Sequence, residues 1–209
     1  MCTHLPLPQE GLSLHASAVL FDMDGTLTQP YFDFDAIRRE IGLTTEPRTP
    51  VLEAMEMMPP AQRQRAERIL LHHEARAAEE SILWEDTLPV LATLRNAGVP
   101  VGCITRNSRT SANTVIALHG LTFDALFTRE DGPLKPSPEP VRAICRKLGV
   151  EPRKAWMVGD YLFDMQAGRA AGATTVLMVG NARLPEWADQ ADHVIRRLTE
   201  LLDLIGRQT

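Results

Sequence analysis

Apolar residues recur along the chain in short runs, and each run ends at a residue that stops it. Ala18-Val19-Leu20-Phe21 has the length of a buried strand and halts at Asp22-Met23-Asp24-Gly25-Thr26, where the chain must turn. From Asp86 onward two periods alternate. Residues 90–97 repeat at helical spacing and stop at Gly98, as 110–119 stop at Gly120, 138–148 at Gly149 and 164–171 at Gly172. A glycine at such a point is a common cap of a helix C-terminus. Between them, residues 99–105, 125–128, 155–158, 174–179 and 191–195 read as strands, and 198–205 as a terminal helix. This order predicts an α/β fold, a Rossmann-like parallel sheet flanked by helices.

One stretch breaks the alternation. From about residue 33 to 81 the chain is rich in Ala, Glu, Arg and Met and poor in β-branched residues, and Pro47, Pro50 and Pro59-Pro60 divide it into about three helices. The longest, from Ala61 to about Leu83, places Ile69, Leu70 and His73 on one side. It reads as a small α-helical cap inserted after the first strand. The expected division is a catalytic core of residues 1–27 and 84–209 with an inserted helical cap of residues 28–83.

Composition narrows the function classes. The 209 residues carry 22 Lys+Arg against 27 Asp+Glu, a net charge of -5, which argues against a protein that binds nucleic acid by neutralising phosphates. No apolar run approaches the roughly 20 residues that span a bilayer, and Met1 to Ser17 lacks the basic start and apolar core of a secretory signal. Cys2, Cys103 and Cys145 are odd in number and widely spaced, as free thiols in a reducing compartment would be. A cytoplasmic protein, without membrane or nucleic-acid partners and acting as a monomer or dimer, is the expectation. The cations are almost all arginines; Lys135, Lys147 and Lys154 are the three lysines.

Ligands of an open parallel sheet bind outside the carboxyl ends of its strands. There the sequence places Asp22 and Asp24, then Thr105-Arg106-Asn107-Ser108, then Lys135, then Gly159-Asp160 and Asp164. Four carboxylates at one edge repel; two charges 4 Å apart do so by about 4 kcal/mol at an effective dielectric near 20. A cation must offset this. Carboxylate oxygens without His or Cys favour Mg²⁺ over zinc or copper, and with Lys135 such a site would accept a phosphate dianion.

The same residues resemble the four motifs of the haloacid dehalogenase superfamily. Phe21-Asp22-Met23-Asp24-Gly25-Thr26-Leu27-Thr28 is similar to the first, Ile104-Thr105-Arg106-Asn107 to the second, Lys135-Pro136 to the third, and Gly159-Asp160 through Asp164 to the fourth. The resemblance spans about residues 18–180 and implies the capped phosphatase branch, phosphoglycolate phosphatase-like or β-phosphoglucomutase-like. It implies Asp22 as nucleophile, giving an aspartyl-phosphate, and Asp24 as general acid and then base. It further implies Mg²⁺ held by Asp22, Asp24 through its backbone carbonyl, Asp160 and Asp164. Thr105, Arg106, Asn107 and Lys135 would bind phosphate, with Lys135 also catalytic. Asp24 sets the chain apart from the dehalogenase branch, which lacks that acid. The implied activity is a Mg²⁺-dependent phosphatase hydrolysing a small phosphorylated metabolite, phosphoglycolate or a sugar phosphate. The alternatives are a sugar phosphate mutase and a phosphate-binding module without turnover. Tyr161 departs from the pattern, which often has a small Ser or Asn after Gly-Asp.

In the cap, Tyr31, Phe32, Arg76 and Glu80 are candidate leaving-group contacts. Other residues read as structural: His72 and His73 as surface or cap packing, Met55, Met57 and Met58 as cap packing, Cys103 as a core thiol, and Trp84, Trp156 and Trp187 as packing residues.

Overall fold

A computed structural model describes residues 14–46 and 49–206; Cys2, Pro47 and residues 1–13 lie outside them. Six strands, β1 (Ala18–Phe21), β2 (Val101–Ile104), β3 (Ala125–Phe127), β4 (Ala155–Gly159), β5 (Thr174–Met178) and β6 (His193–Ile195), form one sheet in the order β3-β2-β1-β4-β5-β6. Every pairing is parallel. Each strand falls where a short apolar run predicted one. The helices are α1 (Phe34–Ile41), α2 (Val51–Glu56), α3 (Pro60–Glu79), α4 (Thr87–Asn96), α5 (Arg109–His119), α6 (Glu139–Leu148), α7 (Leu162–Ala171) and α8 (Thr199–Gly206).

The sheet is buried on both faces, so its central strands are apolar throughout rather than alternating. Val19 and Phe21 of β1 join one core with Val101, Cys103 and Val158, covered by Leu91 and Leu94 of α4, Val115 of α5 and Leu201 of α8. Ala18 and Leu20 join the opposite core with Ile104, Ala125 and Met157, covered by Ile144 of α6 and Ala167 of α7. Gly120, Gly149 and Gly172 close α5, α6 and α7 in the left-handed conformation. The chain builds outward from β1 to β3, then crosses to β4 and builds the other way. The crevice between β1 and β4 is therefore the switch point where such sheets bind ligands.

Helices α1, α2 and α3 form the predicted cap, with an apolar cluster of their own: Ile37, Val51, Met55, Ala66 and Leu70. Asp33 caps α1 by accepting the N–H of Asp35 and Ala36, and Gly42 ends it. Proline precedes or opens α2 and α3. Two details differ from the sequence reading. The buried stripe of α3 is Ala66, Leu70, Glu74, Ala77 and Ala78, with Ile69 and His73 on its flank. And α3 stops at Glu79 rather than near Leu83, because the following residues turn back to pair with the outgoing chain. The Gln29 N–H donates to the Ile82 carbonyl at 2.7 Å, and Thr28 bridges Leu83 antiparallel. The insertion thus leaves and returns at adjacent points.

The remaining structural readings mostly hold. Met55 is buried and Met58 packs beside it, but Met57 is exposed. His73 bonds Glu40 at 2.7 Å within the cap. Cys103 is fully buried, which pushes its thiol pKa up, and burial raises Cys145 to about 11. Trp156 stacks on His193, and Trp84 packs against the core. Among the described residues, no helix is long and apolar enough to cross a membrane.

Candidate active site

Strand ends bring the predicted residues together. Asp22 follows β1 and still donates its backbone N–H to the Val158 carbonyl of β4, at 2.8 Å. Asp160 follows β4, and Asp164 sits in the first turn of α7. Carboxylate oxygens of Asp22, Asp160 and Asp164 lie within 4.8 Å of one another. Lys135 is fully buried among them, and its ammonium meets Asp22 Oδ1 at 2.9 Å, Asp164 Oδ1 at 2.6 Å and the Ile104 carbonyl at 2.9 Å. Three protons thus face three acceptors.

Charge is still unbalanced. Burial penalises the Lys135 ammonium, yet Asp164 and Asp22 overcome that and hold its pKa above the ordinary lysine range. One ammonium does not neutralise three carboxylates. Burial, with the charges of Asp22 and Asp164, pushes Asp160 well above the usual carboxylate range. Burial also pushes Asp164 up to about 6, against the pull of Lys135. Asp164 Oδ1 is wholly buried and has no hydrogen bond of good geometry beyond its ion pair. A triad of hard oxygens, with an excess of negative charge and an under-used buried acceptor, fits a hard divalent cation.

Glycines make the approach possible. Gly25 has φ of +78°, and a Cβ there would lie 2.2 Å from Asp160 Oδ2. A Cβ on Gly159 would lie 2.2 Å from the Asp164 carboxyl carbon. Thr26 donates to Asp160 Oδ1 at 3.3 Å, and the Tyr161 N–H donates to Asp164 Oδ2 at 3.1 Å. Asp164 therefore caps α7 and belongs to the acidic triad at once.

Asp24 is not part of that triad. Its carboxylate accepts the Asn107 side-chain amide at 2.5 Å. Burial beneath the cap, then the charge of Asp22, push its pKa up to about 7, against the Asn107 bond; Glu74 adds to the rise. Two carboxylates two residues apart thus sit in different surroundings, one on an ammonium and one on a neutral amide. Thr105 is buried, and its hydroxyl accepts the Asn107 backbone N–H at 3.1 Å.

Sequence reasoning missed Glu74. It projects from α3 with a side chain 3% exposed, pairs with Arg129 at 2.5 and 3.2 Å, and accepts the Ser108 N–H at the start of α5. A charge on the apolar stripe of α3 was the available signal. It also missed Glu53 of α2, which takes both its oxygens to Arg106 at 2.7 Å. Arg106 donates to the Lys135 carbonyl as well and lies 4.8 Å over the Phe163 ring.

Between the cap and the strand ends lies a cavity of about 640 Å³, lined by Asp22, Asp24, Thr105, Arg106, Asn107 and Asp160 on the sheet side. Tyr31 and Phe32 line it from the cap. Arg76 and Glu80 are not among its lining residues and instead bond each other and the Tyr31 hydroxyl. Tyr161 also lines the cavity, its ring edge-on to Phe163 and Trp187.

Residues 16–172 match the haloacid dehalogenase-like hydrolases. An uncharacterized hydrolase of Saccharomyces cerevisiae is 34% identical over 201 residues, 91% of each chain. A phosphoglycolate phosphatase of Cupriavidus necator is 29% identical over 80% of this chain and 82% of its own. The crystal structure of a hydrolase from Pseudomonas syringae shares the fold with a TM-score of 0.78 at 20% identity, covering 91% of this chain and 99% of that one.

Proposed function

Because the chain belongs to the haloacid dehalogenase-like hydrolases, we propose that it is a cytoplasmic Mg²⁺-dependent phosphatase that hydrolyses a small phosphomonoester through an aspartyl-phosphate on Asp22. The likeness to a phosphoglycolate phosphatase supports this substrate class, and residues 28–83 would act as a cap over a core of residues 1–27 and 84–209. The observation that carries the reading is the unequal pair, Asp22 bonded to Lys135 and Asp24 raised to about 7 beside a neutral amide. Two carboxyl groups whose surroundings separate them in this way suit two roles, nucleophile and acid.

In the first step an Asp22 oxygen attacks phosphorus, the bond from phosphorus to the leaving oxygen breaks, and Asp24 gives its proton to that oxygen. In the second, Asp24 takes a proton from water as the water oxygen attacks phosphorus, and the bond to Asp22 breaks. Lys135, Thr105 and the Asn107 N–H would hold the phosphoryl oxygens, Lys135 and the Asn107 N–H exchanging acceptors they engage in this structure, with Arg106 at the edge of the same group. Mg²⁺ would be held by Asp22, Asp160 and Asp164 with the Asp24 backbone carbonyl, and when bound it would neutralise charge on the transferring group. The cap, tied down by Glu74–Arg129 and Glu53–Arg106, would keep bulk water from the phosphoenzyme.

Incubation with a panel of phosphorylated metabolites tests this. The expected result is inorganic phosphate, formed with Mg²⁺ and abolished by EDTA. An isomeric sugar phosphate without phosphate release would assign the mutase reaction instead, and no turnover would assign a binding module.

A further inference from the structure

Aromatic residues are scarce in this chain and unevenly spread. It has three Trp, two Tyr and six Phe, and both tyrosines with three of the phenylalanines line the one cavity above Asp22 and Asp24: Tyr31, Phe32, Phe34, Tyr161 and Phe163. They form two panels. Phe32 stacks on Phe34 at 5.3 Å, with Tyr31 edge-on to Phe32, in the segment entering the cap. Tyr161 stands edge-on to Phe163 at 5.1 Å, at the start of α7. The rings brace one another, so each panel is preformed.

These rings are not simply core. Tyr31 is 40% exposed, Phe34 49% and Tyr161 53%. Apolar surface left open inside a cavity gains about 25 cal/mol for each Å² that a ligand covers, and ring-on-ring contact adds about 0.5–1.5 kcal/mol beyond area. The cavity, about 640 Å³, falls in the range of pockets that enclose ring-sized ligands. Charge points the same way. Both arginines lining it are engaged, Arg106 by Glu53 and the Lys135 carbonyl, Arg38 by Asp35 and the Thr49 carbonyl. A second anionic group on the substrate would find no unengaged arginine there, and it would share the cavity with the Asp33 carboxylate.

We propose that the leaving alcohol carries an uncharged flat ring seated on these panels. The proposal rests on the phosphatase reading and narrows its substrate class. The phosphoryl group would lie at Asp22, and the ring would lie against Phe34 and Tyr161.

Phosphate release from benzyl, cyclohexylmethyl and ethyl phosphate and from phosphoglycolate tests it, because benzyl and ethyl alcohols differ little as leaving groups. Benzyl phosphate should show kcat/KM about tenfold above ethyl phosphate and above cyclohexylmethyl phosphate, with phosphoglycolate below all three. Phe34→Ala and, separately, Tyr161→Ala should bring the ratio of benzyl to ethyl kcat/KM down towards one, with folding of each variant checked by circular dichroism, and a ratio unchanged in both variants would overturn the seat. Equal kcat/KM for benzyl and ethyl phosphate in the wild type overturns ring recognition and leaves the phosphatase reading standing. Phosphoglycolate as the best of the four overturns the uncharged leaving group. Failure to release phosphate from any of them removes the phosphatase reading itself, and this proposal with it.

Discussion

Glu74 of α3 and Arg129, just after β3, form a two-point ion pair at 2.5 and 3.2 Å that ties the inserted helices to the sheet. The same carboxylate accepts the Ser108 N–H, so one buried group fixes both the cap and the start of α5. That start carries Asn107, the partner of Asp24.

Removing the cation from that pair leaves a buried carboxylate with one N–H donor. Arg129→Ala should therefore lower unfolding stability by about 3 kcal/mol, seen as an earlier midpoint in urea. A midpoint equal to wild type would mean that the pair does not hold the cap.

Gly25 and Gly159 are bound to the acidic triad by space. Alanine at either places a carbon 2.2 Å from an atom of Asp160 or Asp164, and at Gly25 it also meets a positive φ. Either variant should raise the Mg²⁺ concentration needed for half-maximal activity by about 10–100-fold. A Mg²⁺ titration that superimposes on wild type would contradict the packing argument.

Without a divalent cation, the site should make the protein less stable as pH rises. Asp24 is held at about 7 and Asp164 at about 6, and Asp160 is raised too, all above the ordinary 3.8. Between about pH 4 and pH 7 the folded protein then binds more protons than the unfolded chain, and stability falls with pH. Melting temperature in EDTA should drop across that window and level off above it. Asp24→Asn should flatten part of the slope, and Mg²⁺ should raise the melting temperature most near pH 8, where the carboxylates are ionised. A melting temperature that climbs from pH 4 to 7 would show the opposite linkage.

Catalysis should share one of these groups. As the proposed acid, Asp24 would donate its proton only below its pKa, so kcat for an alkyl phosphate should fall on the alkaline side of a limb set by Asp24. Glu74 helps to raise that pKa. Glu74→Gln should thus shift the limb to lower pH. An unmoved limb would place the titration on another group.

The sheet and the site were legible for different reasons. Runs such as Ala18–Phe21 are short, apolar and stopped by turn residues, so local pattern alone locates the strands. Asp22, Thr105, Lys135 and Asp160 were legible because each follows a strand and a parallel sheet gathers strand ends at one edge. The ion pairs were not. Glu74 is signalled only as a charge on the buried stripe of α3, and its partner Arg129 is 55 residues away, joined to it only when the cap packs on the sheet. Glu53 and Arg106 are hidden for the same reason. Tyr31, Phe32 and Tyr161 stand out singly in the sequence, but the panels do not, since Phe34 and Phe163 are ordinary apolar positions until the cavity brings their segments together. The end of α3 was misjudged because its termination comes from pairing with Thr28 and Gln29, a tertiary event with no helix-stopping residue to announce it.

Asp22 is the group proposed to take the phosphoryl. Its most direct test is phosphate release from p-nitrophenyl phosphate in Mg²⁺ by wild type and Asp22→Asn, with folding of the variant checked by circular dichroism. The wild type should release phosphate steadily, and Asp22→Asn should release none above the EDTA-treated control. Release by Asp22→Asn at the wild-type rate would contradict that role.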